Sequence, residues 1–194
     1  FRSSISFNML FLEEIWSRNF TNLFISPLKV SEIITALTAT ALIRTLIGIV
    51  PAIIIASPFF GVSLLDLGPA LMLLLLSLYA FGITLGLLVV SGLLRYGPAF
   101  ENVAWSSLFL LAPLGCIYYP LSILPEGLQL LAKVLPLVYI FEEVRSILLN
   151  NVVNYNNIFS ALMLNLIYFT LSIFVFYSAF REARKRGTLI NVGE

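Results

Sequence analysis

The sequence predicts an all-α, polytopic membrane protein: four transmembrane helices, a re-entrant helical hairpin on the outer side, and a short amphipathic helix on the cytoplasmic side. Three observations carry that prediction. Of the 194 residues, 60% are hydrophobic and only 11% charged, against roughly 25% charge in soluble domains, and the mean hydropathy is +1.01. Several apolar stretches approach or exceed the roughly 20 residues that a bilayer core of about 30 Å demands of a helix. Charged residues fall almost wholly between those stretches.

Taken in order, the chain opens Phe-Arg-Ser-Ser, and its first apolar patch, residues 5–12, is too short for a signal peptide or a span. In the next stretch, EEIWSRNFTNLFISPLKVSE, Trp16, Phe20, Leu23 and Phe24 recur at i, i+4, i+7 and i+8, while Glu14 and Arg18 sit four apart on another face. This is the pattern of a short helix lying along the interface, or of an ordinary interfacial elbow. Ser26-Pro27 supplies a cap and a proline suited to a first helical turn, so a new helix is expected to start there. The first span lies within residues 33–65, carries Arg44, and reads as one long helix kinked at Pro51 and Pro58. The second, residues 71–94, has no charge, and Gly82 and Gly86, four apart, let another helix approach closely. The third, residues 103–119, is short and holds Pro113 and Gly115. The fourth, residues 158–180, is rich in aromatics and ends against Arg181.

Basic residues set the orientation, because cytoplasmic loops carry the excess of Lys and Arg. Arg18 and Lys29 precede the first span, Arg95 separates the second and third, and Arg181, Arg184, Lys185 and Arg186 follow the fourth. The turn at residues 61–68 has only Asp66 and is placed outside. The connection at 120–157 falls outside with it, its Lys133 and Arg145 outnumbered by Glu126, Glu142 and Glu143. The C-terminus is then cytoplasmic, in a plasma (inner) membrane protein.

The stretch YYPLSILPEGLQLLAKVLP interrupts this pattern with three prolines, Glu126 and Lys133. Pro120 and Pro125 stop the third span, and residues 127–135 and 138–149 are apolar helical segments of about ten residues each, too short to cross. They fit a re-entrant pair turning at Pro136, or an amphipathic loop lying flat on the membrane. Glu142 or Glu143 is available to pair with Arg145. Tyr118 and Tyr119 sit where span meets hairpin, and are the best placed of the tyrosines to line a path.

Several function classes drop out. A net charge of +1, with its one basic cluster at the C-terminus, does not suit nucleic acid. With no histidine and a single cysteine, Cys116, there is no metal set, no internal disulfide and no base for a nucleophile. We therefore assign no catalytic residue. A secondary transporter is the closer rival, yet neither an internal repeat nor a midplane ion site is visible. Arg44, at membrane depth, either snorkels to the inner interface or faces a translocation path.

The order of these parts resembles the type II ABC exporter permeases. The matching pieces are FLEEIWSRNFTNLFISPLKVSEII and YYPLSILPEGLQLLAKVLPLVYIFEEVRSIL. The resemblance implies that the first is a coupling helix contacting an ATP-hydrolysing subunit, with Glu13, Glu14, Trp16, Arg18, Phe20, Phe24 and Pro27 as contacts. It implies that the second is the outer hairpin and gate, built on Tyr118, Tyr119, Pro120, Pro125, Pro136, Glu143 and Arg145 and closed by a Glu-x-x-Arg pattern. It further implies outward movement of polysaccharide, glycolipid or drug by two permease copies, alike or different. No G-x-x-x-x-G-K-[ST] loop occurs, so ATP and Mg are expected on the partner subunit and no cofactor on this chain. Family permeases have six spans. Four here, with residues 5–12 as the tail of another, imply that a single membrane domain fills residues 1–194 and lacks its first span and most of its second.

Overall fold

The computed structural model describes residues 2–17, 29–60, 68–150 and 152–186. Among these residues every regular element is helical: α1 (Arg2–Trp16), α2 (Val30–Phe60), α3 (Gly68–Tyr96), α4 (Glu101–Leu114), α5 (Glu126–Ala132), α6 (Pro136–Asn150) and α7 (Tyr155–Arg186). Short 3-10 turns occupy Pro98–Phe100 and Leu121–Ile123. Among the described residues three helices are long and apolar enough to cross a membrane, over Val30–Ala52, Pro69–Tyr96 and Tyr155–Lys185.

The helix boundaries differ from expectation in places, each for a local reason. Lys29 is not helical, so α2 begins at Val30 rather than at Pro27. The Glu32 carboxylate accepts the Lys29 N–H at 2.8 Å, half of a capping box, with an acid in the positively poled first turn. The helix runs on through Pro51 to Phe60 without a break. The segment expected to form the third span is the 14-residue α4, about 21 Å long. Pro113 has no N–H for the ladder, and Cys116 turns the chain into the left-handed region at φ 52°. The Pro113 carbonyl accepts the Cys116 N–H at 3.2 Å and the Tyr119 hydroxyl at 2.8 Å.

The chain divides into two compact units. The first comprises Phe1–Ile49, Gly82–Ala104 and Thr170–Glu194. Within it, α1 packs on the second half of α3 at the paired glycines. A Cβ at Gly82 would collide with Ser3, and one at Gly86 would stand 2.9 Å from the Phe7 ring. Small residues thus admit a neighbouring helix, as their spacing foretold, and α1 is that neighbour. Phe7, Phe11, Leu87, Leu93 and Phe176 are buried in this unit. Hydroxyls in the apolar surroundings bond back to their own helices, Thr45 to the Ala41 carbonyl at 2.7 Å and Ser91 to that of Leu87 at 2.6 Å, so neither is stranded.

The second unit comprises Val50–Phe81 and Trp105–Phe169. Leu74 of α3, Ile140 and Ile147 of α6, and Ile158 and Ala161 of α7 form one buried cluster. Cys116, Leu124, Ala132 and Val138 form a second, under the proline-rich stretch. Asn165 on α7 donates to the Ser77 carbonyl at 2.9 Å and to its hydroxyl at 2.6 Å, a polar tie of the kind that holds helices together in lipid. Tyr168 packs edge-on against Phe81 and donates to the Val134 carbonyl at 3.2 Å.

Candidate functional site

In the second unit, each proline of the stretch opens or precedes a helical element. Pro120 precedes the 3-10 turn, Pro125 is the N-cap of α5, and Pro136 is the first residue of α6. A missing N–H costs nothing at a helix start, where donors have no intrahelical acceptor. The two helices are unequal, seven and fifteen residues, rather than about ten each. The intervening turn, Lys133-Val134-Leu135, closes with the Leu135 N–H on the Ala132 carbonyl at 2.8 Å. Glu126 and Lys133 both stay exposed.

Helix α6 carries a polar clasp. Arg145 pairs with Glu142 at 2.8 Å and donates through its other terminal nitrogen to the carbonyls of Cys116 at 3.0 Å and Tyr119 at 3.1 Å. Glu142 also accepts the Leu121 N–H at 2.8 Å. One acid and one guanidinium therefore fix three backbone groups of the segment after α4, using the planar fork that makes Arg suited to such work. Of the two acids available to Arg145, the structure selects Glu142. Glu143 points elsewhere: it is fully buried, accepts the Asn154 N–H at 2.6 Å, and accepts from the Asn157 amide at 3.1 Å. A carboxylate there faces the N-terminus of α7, where the helix dipole and free N–H groups offset its desolvation. Asn154 completes the cap, its side-chain oxygen accepting the Asn156 N–H at 3.1 Å. Cys116 is wholly buried beside the clasp; burial pushes its thiol pKa up, the Glu142 charge adds to this, and Arg145 opposes it. Tyr118 is 79% exposed, whereas Tyr119 is half-buried.

In the first unit, Glu13, Glu14 and Trp16 form the last turn of α1. The helix expected to begin near Glu13 is thus, through Trp16, the end of a longer helix whose earlier face is buried. Ser17 closes it, its N–H on the Glu13 carbonyl at 3.0 Å. Arg18, Phe20, Phe24 and Pro27 lie outside the described residues. Trp16 is 58% exposed. Arg44, expected to snorkel or to face a path, is paired: its two terminal nitrogens reach the two Glu13 oxygens at 3.3 and 3.1 Å. This bidentate pair ties the end of α1 to α2 across the segment that joins them. Arg95 makes a similar tie from α3 to α7, meeting Glu182 at 3.1 Å and Ser178 at 3.3 Å.

The sequence missed three of these roles: the capping of the 3-10 turn by Glu142, that of α7 by Glu143, and the Glu13–Arg44 pair. The last spans 31 positions, beyond any helical spacing. A hint did exist for Glu143, since Leu137, Ile140 and Ile147 set a buried face on α6 on which it falls. Among the described residues no group of acidic or cysteine side chains is arranged to hold a metal.

Long, charge-poor apolar helices, with a proline-capped helical pair clasped by Glu142 and Arg145, fit a membrane domain. No curated protein and no solved structure matches the chain. The sequence pattern of the ABC-2 type transporter family matches residues 2–149. That match covers most of the chain, and its domain is the transmembrane component of an ABC transporter, which works with an ATP-binding partner. The chain is a multi-pass membrane protein and belongs to the ABC-2 type transporter family.

Proposed function

We propose that the chain is the permease subunit of an ATP-driven exporter, moving an amphipathic or lipid-linked substrate such as a glycolipid, polysaccharide or drug outward. It works as a dimer of permeases with two ATP-binding subunits that carry ATP and Mg. The observation that carries this reading is the family match over residues 2–149.

Its orientation is supported by charge. The first unit contains the C-terminal ends of α3 and α7, the N-terminal ends of α2 and α4, and nine of the chain's eleven Lys and Arg; the second contains only Lys133 and Arg145. By the positive-inside rule those ends of α2, α3, α4 and α7 are cytoplasmic, the C-terminus with them, and the connection carrying Lys133 and Arg145 is outside. Helix α4 with the turn before it is the fourth crossing, short enough to need local thinning or a neighbour. Helices α5 and α6 form the re-entrant hairpin and outer gate. The exposure of Glu126 and Lys133 supports a hairpin that stays near the outer interface or a wet cavity.

The partner docks on the end of α1 and the segment after it, through Glu14, Trp16, Arg18, Phe20, Phe24 and Pro27. Glu13, held by Arg44, passes the displacement into α2. That helix transmits it because its backbone bonds are satisfied within it, and the clasped hairpin is displaced as one piece to open the outer end.

Trp16 tests the docking. Aromatic anchors dominate interfaces, so Trp16→Ala should lower co-purification of the ATP-binding subunit about tenfold or more while leaving membrane insertion intact. Undiminished co-purification, with ATP hydrolysis still coupled, would refute the assigned surface.

A further inference from the structure

The end of α7 carries a stripe that neither the helix bundle nor the proposed transport path uses. Leu171, Phe174, Tyr177, Arg181 and Arg184 follow one another at spacings of three and four, Lys185 lies four beyond Arg181, and all six are exposed. They therefore share one face of the helix. Phe176, Ala179, Phe180 and Ala183 are buried on the opposite side. The order along the stripe is apolar, aromatic, basic. Arg181 lies four residues beyond Tyr177, about 6 Å along the axis, and a bilayer headgroup layer is about 5 to 8 Å thick. With the Tyr177 ring at the edge of the hydrocarbon, the Arg181 guanidinium is level with lipid phosphates.

Among the described residues the charges on this face are unanswered. Glu182 is the single acidic residue in the last three turns of α7, and Arg95 takes it at 3.1 Å. Among the described residues, Arg181, Arg184 and Lys185 have no ion pair. Like charges three and four apart on a helix repel, so the trio gains from a counter-charge on the same face. The exposed apolar stretch immediately above it, with Phe174 at 74% exposure, makes that counter-charge one attached to an acyl chain.

We infer that this face of α7 seats an anionic phospholipid. Arg181, with Arg184 or Lys185, holds the phosphate, Tyr177 lies at the glycerol level, and Phe174 and Leu171 meet the acyl chains. The inference needs only that α7 crosses the membrane and does not depend on substrate or direction of transport.

The test places an indole at the site. The full chain carrying Tyr177→Trp, with Trp16→Phe and Trp105→Phe to silence the native indoles, is reconstituted in phosphatidylcholine vesicles. Brominated phosphatidylglycerol or brominated phosphatidylcholine is added as quencher. We expect phosphatidylglycerol to associate about fivefold or more in preference, since a basic residue near an anionic surface contributes roughly 1 kcal/mol, and 1 M salt to abolish most of that preference. R181Q/R184Q/K185Q should bring the ratio to about one, and the charge-retaining R181K/R184K should keep it. Equal quenching by the two lipids with the basic residues intact, or a preference indifferent to salt, would overturn the inference without any variant. Displacement of the phosphatidylglycerol by the ATP-binding subunit would also overturn it, by assigning the face to the protein partner.

Discussion

Arg145 illustrates how much one side chain fixes. Its guanidinium meets Glu142 and two carbonyls of the segment that follows α4, so Arg145→Ala leaves a carboxylate without its cation and two carbonyls without their donor. Each such loss costs about 1 to 3 kcal/mol when water cannot replace the partner. We expect the segment to open locally before the helices separate, and Cys116 is a built-in reporter because it is wholly buried there. Its raised thiol pKa lowers the thiolate fraction at neutral pH, which adds to the steric protection. In the wild type, alkylation of Cys116 should be slow; in Arg145→Ala it should rise about tenfold or more, toward the rate of an ordinary thiol. An unchanged rate would mean that the clasp does not hold the segment. By contrast, the Glu13–Arg44 pair is roughly half exposed, 53% and 41%, and its contribution to stability is discounted to about 0.2 to 1 kcal/mol. Its importance lies in what it connects. The clasp was partly legible: Glu142 or Glu143 was expected to pair with Arg145. The identity of the acid was not, because adjacent Glu142 and Glu143 differ only in which helix end each meets.

Among the elements, α3 was the most legible, expected over residues 71–94 and found as Gly68–Tyr96, since an uncharged apolar run has no competing fate. The α4 boundary was less so. Hydropathy continues through Cys116 and the tyrosines, but Pro113 and a left-handed Cys116 end the helix at Leu114, a backbone event that hydropathy does not sense. The α1–α3 contact gives a direct test. Gly82→Ala drives a methyl into Ser3 and should destabilise the chain by about 1 to 3 kcal/mol. Ser3→Gly should restore much of that loss, because it removes the atoms in collision. Thermal aggregation of the detergent-solubilised variants would measure both, and failure of Ser3→Gly to rescue would show that the cost arises elsewhere. The hairpin is tested by depth. Spin labels along α5 and α6 should show a shallow maximum near the 133–135 turn, whereas a monotonic passage to the cytoplasmic leaflet would make the pair a crossing. Pro125→Ala with Pro136→Ala should impair transport more than expression, since both prolines stand at helix starts, where their loss leaves the helices able to form.

At the scale of the whole molecule, the account rests on the division of labour between the two units. One carries nine of eleven basic residues and the exposed Trp16; the other carries the clasped helical pair. Composition made the membrane class legible, and the order of parts made the family legible. The proposed partner surface rests on the sequence pattern of Trp16, Phe20 and Phe24, and cargo leaves no signature in residues chosen chiefly for lipid. The most direct measurement is therefore transport itself. Inside-out vesicles holding this chain and its ATP-binding subunit would be offered a panel of fluorescent lipid-linked glycans, glycolipids and amphiphilic drugs. The account predicts ATP-dependent uptake of at least one class into the vesicles, lost when the subunit's ATP hydrolysis is blocked and lost again with Trp16→Ala. Uptake driven by an ion gradient and indifferent to ATP would contradict it.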